Sequence, residues 1–343
     1  MKKIIYALSY LRYALKIIFR FLVNSKSDRF IIIATPTHGN LGDQAIVYAE
    51  KKAIKTICPS RSVIEIENGA YFTCKSLLKT LIKQTDTIII DGGGNLGTLW
   101  GWEDDKITDI ISTFSQNKII VFPQTVFYEP SDATSERIEK NNSVYSQARD
   151  LTILLRDKTS LDFFVRTFPK VKVELCPDIV LSLIQQQHLK RNGVFLCLRS
   201  DREKVINENE VVILKEYLNT QSIDVLETDT VIKKSVRHYN RERELQKKWR
   251  EFSTAKLIIT DRLHAMIFSY ITGTPCIAIN NSSKKVEGTF QFISKCNFIK
   301  MANSLTEAVE IIPMLMDIEN CNLNEFVYPI SILEEVLKNG ATK

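Results

Sequence analysis

The sequence predicts an α/β protein built as two doubly wound, Rossmann-like lobes that face each other across a cleft. Three observations carry that expectation. At 343 residues the chain is too long for one small core, so two domains are the natural division. Its apolar runs are short, β-branched and continuous rather than alternating, the pattern of parallel strands covered on both faces. Those runs also fall into two consecutive sets with helix-length segments between them.

Residues 1–28 come first, as a basic segment whose apolar run from 4 to 23 is interrupted by Arg12, Lys16 and Arg20. A spanning helix needs about 20 nearly uncharged residues, so this segment does not read as one, and no small-residue cleavage site follows for a secretory signal. On a helical wheel the three cations form one stripe, while Ile4, Leu8, Leu11, Leu15, Ile18 and Leu22 take another face. Such a helix has two readings. It lies in the headgroup region of an anionic membrane, as a peripheral contact at the inner face of the plasma membrane, or it packs on the protein's own body with a solvated basic edge.

The first lobe, 29–185, has strands predicted at 30–35, 62–67, 86–91, 118–122, 151–155 and 171–175, with crossover helices near 43–57 and 134–149. A polar run from Gln185 to Asn192 marks the break. The second lobe, 193–300, repeats the pattern with strands at 194–199, 223–227, 256–260 and 275–279 and helices near 207–220, 240–253 and 263–272. Residues 301–343 read as a C-terminal helical segment. Ligands in such sheets bind beyond the carboxyl ends of the strands, so the site is expected in the cleft.

Composition narrows the function classes. Hydrophobic residues make up 44% and charged residues 25%, an ordinary globular balance. The net charge of +6 resides in residues 1–29, where seven cations meet only Asp28. The neutral body argues against nucleic acid as a partner. Seven scattered cysteines, odd in number and never in a C-x-x-C pair, read as reduced thiols of a cytoplasmic protein without disulfides or a zinc site. No carboxylate cluster calls for a metal.

The chemistry-bearing motifs all follow strands. Thr35 to Gln44 forms a loop with Gly39 and Gly42, ahead of a helix whose free N–H groups suit an anion. Asn40, Gly42 and Asp43 are its candidate residues. Asp91 to Gly97 forms a second loop, with Gly92, Gly93, Gly94 and Asn95 as candidates. Neither loop is a dinucleotide fingerprint. Arg262 and His264 end a strand and open helix 263–272, where a planar guanidinium suits phosphate or carboxylate. Arg156, Asp178 and Arg199 have the same kind of address. Trp100 and Trp102 flank Gly101 and either stack on a sugar face or are buried. His38 is a lesser candidate, and His188 and His238 read as solvent-exposed.

Taken together, N-L-G-D-Q-A-I, D-G-G-G-N-L-G, R-D-x-x-S, P-D after a strand and D-R-L-H-A-M-I followed by G-T-P resemble the polysaccharide pyruvyltransferase family from about Ile31 to Lys295. The combination of D-R-L-H-A with G-T-P is the specific part. The resemblance implies a two-lobed fold of the glycosyltransferase-B kind and transfer of a pyruvyl group from phosphoenolpyruvate to a sugar, with no cofactor. It places donor contacts on Arg262, His264 and Arg156, and on a lysine after the G-T-P strand that is Lys285 or its neighbour Lys284. His264 is the candidate general acid, and Asp43, Asp91 or Asp178 the base for an acceptor hydroxyl. The acceptor is a saccharide, free or lipid-linked, of a surface polysaccharide or capsule. Two rivals remain at this stage: a nucleotide-sugar-dependent glycosyltransferase of the same fold, and a non-catalytic partner in polymer assembly.

Overall fold

The computed structural model describes residues 2–24, 28–201, 203–281, 284–318 and 321–338, without the side chains of 2–6 and 324. The first lobe opens with α1 (Lys2–Val23), β1 (Phe30–Thr35), α2 (Leu41–Ile57), β2 (Val63–Glu67) and α3 (Asn68–Leu81). It continues through β3 (Thr87–Ile90), β4 (Gly93–Gly97), α4 (Gly101–Thr113), β5 (Lys118–Phe127) and α5 (Asp132–Gln147). Strand β6 (Asp150–Leu155), α6 (Lys158–Thr167) and β7 (Lys172–Leu175) complete its sheet. The second lobe comprises β8 (Asn192–Cys197), α7 (Glu208–Thr220), β9 (Val225–Glu227), α8 (Arg241–Ser253) and β10 (Ala255–Thr260). Then come α9 (Leu263–Thr272), β11 (Cys276–Ile279), α10 (Lys285–Ile293), β12 (Ile299–Ala302), α11 (Leu305–Met316) and α12 (Ile330–Lys338).

The sheets run β2-β1-β3-β5-β6-β7, with β4 beside β5, and β12-β11-β10-β8-β9. Every strand pair within them is parallel. Both sheets therefore reverse direction of winding between their first and third strands, at β1/β3 and at β8/β10. These are the switch points where a doubly wound sheet opens a crevice. The strand sequence explains the layering. In β1, Phe30 and Ile32 join the core on one face while Ile31 and Ile33 join that on the other, all fully buried. The first of these cores continues into the second lobe through Trp249, Phe252 and Phe268, so the lobes share packed apolar contact.

A buried ion pair reinforces the contact. The Arg241 guanidinium of α8 donates to both carboxylate oxygens of Glu65 in β2, at 2.7 and 3.1 Å, and to Gln44 Oε1 at 2.7 Å. Burial alone would raise the Glu65 carboxyl, but Arg241 and Lys51 bring it down to about 2. Removing one partner of a buried pair strands the other, so an Arg241→Ala protein is expected to lose about 3–5 kcal/mol. A urea titration reads this directly, and an unchanged midpoint would refute it.

Several elements differ from the sequence reading. Strand β12 and helix α11 complete the second lobe, which therefore runs past residue 300. Helix α12 returns to the first lobe, where Val336 O accepts from Lys118 Nζ. The loop Gly93–Gly97 is itself a strand on β5. His238 is exposed, as the sequence predicts, but it has partners. Its Nδ1 lies 2.9 Å from Glu67 Oε1, and Arg20 of α1 reaches its ring. Helix α1 packs on the body through Ala14, Ile17 and Phe21, while Leu8, Leu11, Leu15, Ile18 and Leu22 stay exposed. Ile4 and Lys26 lie outside the described side chains. No helix of the described residues is long and apolar enough to cross a membrane.

Candidate active site

The two switch points open on one cleft of about 260 Å³, lined from both lobes. Each motif has a local reason for its shape. In the R-D-x-x-S run, Asp157 caps α6 by accepting from Ser160 N at 2.7 Å and from Ser160 Oγ at 2.8 Å. That cap leaves Arg156 at the strand end, facing the cleft. Its Nε donates to Thr125 Oγ1 at 2.7 Å and its Nη1 to Asp178 Oδ2 at 2.8 Å. Asp178 in turn accepts from Val180 N and lies 3.6 Å from His264 Nε2. Burial pushes the Asp178 carboxyl up, but His264 and Arg156 together hold it far below the usual carboxylate range. One buried anion thus orients both cleft residues.

The D-R-L-H segment works similarly. Asp261 Oδ1 accepts from Arg199 N at 2.8 Å, tying the ends of β8 and β10 together. Arg262 Nη2 donates to Asp229 at 3.0 Å, yet its buried Nε has no hydrogen-bond partner. A buried donor without an acceptor is costly, by about 1–3 kcal/mol. An anion entering the cleft would supply Arg262 Nε with an acceptor.

Glycines admit the close approaches. A methyl group on Gly42 would stand 2.3 Å from His264 Nδ1, so this first-lobe glycine makes room for a second-lobe histidine. A methyl on Gly94 would lie 2.7 Å from Lys285 Nζ and 3.2 Å from Arg156 Nη2, which places both cations around one point. Lys285 is buried and pairs with Glu203 at 3.3 Å. Burial first, then Arg156 and Arg199, push its ammonium down to about 8 against the pull of Glu203. Four cationic and four acidic side chains line the cleft, so its cations are held in ion pairs until a stronger anion competes.

The geometry therefore describes a small pocket of paired cations and carboxylates with a histidine beside it, at the boundary of two Rossmann-like lobes. A family model described as polysaccharide pyruvyl transferase matches residues 40–283, well over half of the chain. The chain belongs to the polysaccharide pyruvyl transferase family.

Named relatives cover most of this chain. General stress protein 30 of Bacillus subtilis is 35% identical over 304 residues, covering 87% of this chain and 88% of its own. Pyruvyl transferase 1 of Schizosaccharomyces pombe is 27% identical over 267 residues, 73% of this chain and 66% of its own. A Klebsiella pneumoniae crystal structure shares the fold with a TM-score of 0.52 at 19% identity, over 86% of this chain and 98% of that one. The protein is thus a pyruvyl transferase that acts on a polysaccharide.

Against this pyruvyl transferase site the sequence candidates sort clearly. Arg156, Arg262, His264 and Lys285 meet in the cleft, with Asn40, Asp43, Gly94 and Asn95 on its walls. Lys284 stands at the N-cap of α10, and Lys285 is the lysine that enters. Asn40 caps α2, accepting from Gly42 N and donating to Asp43 Oδ2 at 2.8 Å. Gly92 and Gly93 lie below the surface, where Gly92 N donates to the fully buried Glu50 at 2.8 Å. Of the three carboxylates considered as base, Asp43 alone is on the cleft wall. Asp178 is buried and accepts from Arg156 and the Val180 amide, and Asp91 is also buried, pushed up to about 7 by that burial and by Glu103 and Asp43 against Lys106. The reading missed Asp201, Glu203 and Glu103, whose place on the wall depends on packing that no local pattern encodes. It also missed Glu50, which burial and Asp91 push well up. Among the described residues no group of His, Cys, Asp or Glu is arranged to hold a metal ion.

Proposed function

We propose that this transferase moves the pyruvyl group of phosphoenolpyruvate onto two hydroxyls of a saccharide, forming a cyclic ketal and releasing phosphate. The observation that carries the reading is Arg156, Arg262 and Lys285 around one pocket with a buried, unpartnered Arg262 Nε. Phosphoenolpyruvate brings a carboxylate and a phosphate, and three cations match that charge. His264 delivers a proton to the enol methylene, which becomes the methyl, and the electron deficiency passes to the neighbouring carbon. One acceptor hydroxyl bonds to that carbon and gives its proton to Asp43, which His38 Nε2 supports from 3.7 Å. As phosphate leaves with the C–O electron pair, the second hydroxyl closes the ring and returns its proton to His264, while Asp43 gives the first hydroxyl's proton to solvent. Trp102, exposed at the cleft edge, offers a flat face to the sugar. The saccharide is the lipid-linked or free precursor of a surface polysaccharide such as a capsule, and the reaction takes place in the cytoplasm, where seven free cysteines are at home.

Full-length protein incubated with phosphoenolpyruvate and a panel of free and lipid-linked saccharides is expected to release phosphate only when an acceptor is present. Its KM for phosphoenolpyruvate is expected to rise as pH climbs through about 8, where Lys285 sheds its proton. Phosphate release without any acceptor, or thermal stabilisation by UDP or GDP but not by phosphoenolpyruvate, would overturn the reading in favour of hydrolysis or glycosyl transfer.

A further inference from the structure

Helix α1 divides its surface into three sectors. Ala14, Ile17 and Phe21 point into the first lobe and are buried. Leu8, Leu11, Leu15 and Leu22 form a second sector and are 56–69% exposed, with Phe19 at 66% beside them. Arg12 and Lys16 form a third, also exposed, and Arg20 below them turns inward to Glu65 O and His238. The helix contains no acidic residue. A surface helix needs only one apolar face to hold its place, and α1 already has one. A second apolar face, contiguous along the helix and bordered by cations, is a feature that single scattered surface leucines do not explain.

We infer that α1 is a docking surface for an anionic lipid bilayer, lying in the interface plane with Leu8, Leu11, Leu15, Phe19 and Leu22 among the acyl chains and Arg12 and Lys16 at the headgroups. Charge complementarity selects this occupant. Residues 1–29 carry the whole net charge of +6, and the rest of the chain sums to zero. A second copy of the chain would bring an equally cationic helix against the first. Anionic headgroups instead attract Lys and Arg, and shallow insertion accommodates the leucines. The contact agrees with the cytoplasmic placement proposed above but does not depend on the chemistry of the cleft.

Flotation of the full chain with vesicles tests it. Binding is expected on vesicles with about 30% phosphatidylglycerol and to be weaker by roughly tenfold or more on pure phosphatidylcholine. Leu11→Glu/Leu15→Glu, at exposed positions that leave the buried sector intact, is expected to abolish binding to both. Arg12→Glu/Lys16→Glu is expected to remove the preference for anionic lipid. Phosphate release with a water-soluble acceptor should not change in either variant, which separates this contact from the reaction. Vesicle binding unaffected by the leucine changes would overturn the inference, as would equal binding to the two lipid compositions. So would a concentration-dependent dimer, seen by light scattering, that the leucine changes dissociate while vesicles bind nothing.

Discussion

An Arg156→Ala protein is expected to fail twice, in stability and in turnover. The stability loss comes from Asp178. Its carboxylate is 1% exposed and is held ionised by His264 and by Arg156, which donates to it at 2.8 Å. Without the guanidinium the anion stays buried with only the Val180 amide and His264, 3.6 Å away, and breaking such a pair costs about 3–5 kcal/mol. The turnover loss has a different origin. Arg156 Nη2 and Lys285 Nζ converge on the point above Gly94 where the proposed donor would bind. Losing one charge-assisted contact removes about 1.5–3 kcal/mol, or roughly one to two orders of magnitude in kcat/KM. The double variant Arg156→Ala/Asp178→Asn separates the two effects. Asn removes the stranded charge, so urea stability is expected to return most of the way while turnover stays lost. If stability did not recover, Asp178 would not be the cause. If the single variant kept its kcat/KM, Arg156 would have no place at the donor.

Much of this site was legible because a doubly wound sheet reports its own crevice. Glycines after β1 and β3, and charged residues after β6 and β10, all lie at strand ends, and strands are readable from continuous runs such as Phe30-Ile-Ile-Ile. The roles were less legible than the addresses. Asp43, Asp91 and Asp178 look alike in sequence, each following or opening an element. Burial alone distinguishes them, and burial is a property of the packed lobes. The same limit applies to Glu203, which meets Lys285 from 82 positions away. It applies to His238, which has a polar sequence context yet sits against Glu67 and Arg20 at the lobe boundary. For α1 the periodicity marked the apolar stripe correctly as a face, but the side that packs inward is a different one, set by where α3 and β2 lie.

The second large effect is expected at His264. Replacing it with alanine should lower kcat roughly 100- to 10,000-fold, the usual contribution of a positioned general acid. KM for phosphoenolpyruvate should move little, because Arg156, Arg262 and Lys285 remain to hold the donor. The fold should survive with a smaller stability loss than in Arg156→Ala, because Asp178 loses the His264 contact at 3.6 Å but keeps Arg156 and the Val180 amide. Isotope labelling distinguishes a proton donor from a space-filling ring. In D2O the wild-type product should carry one deuterium in its ketal methyl group, and the His264→Ala protein should accumulate neither product nor phosphate in the same time. A His264→Gln protein decides between the alternatives, since it fills the space that Gly42 leaves open and can still donate a hydrogen bond. Glutamine cannot give up a proton to carbon. If that variant turned over at close to the native rate, His264 would be a wedge between the lobes, and the acid would have to be sought at Lys285, whose ammonium burial pushes down to about 8.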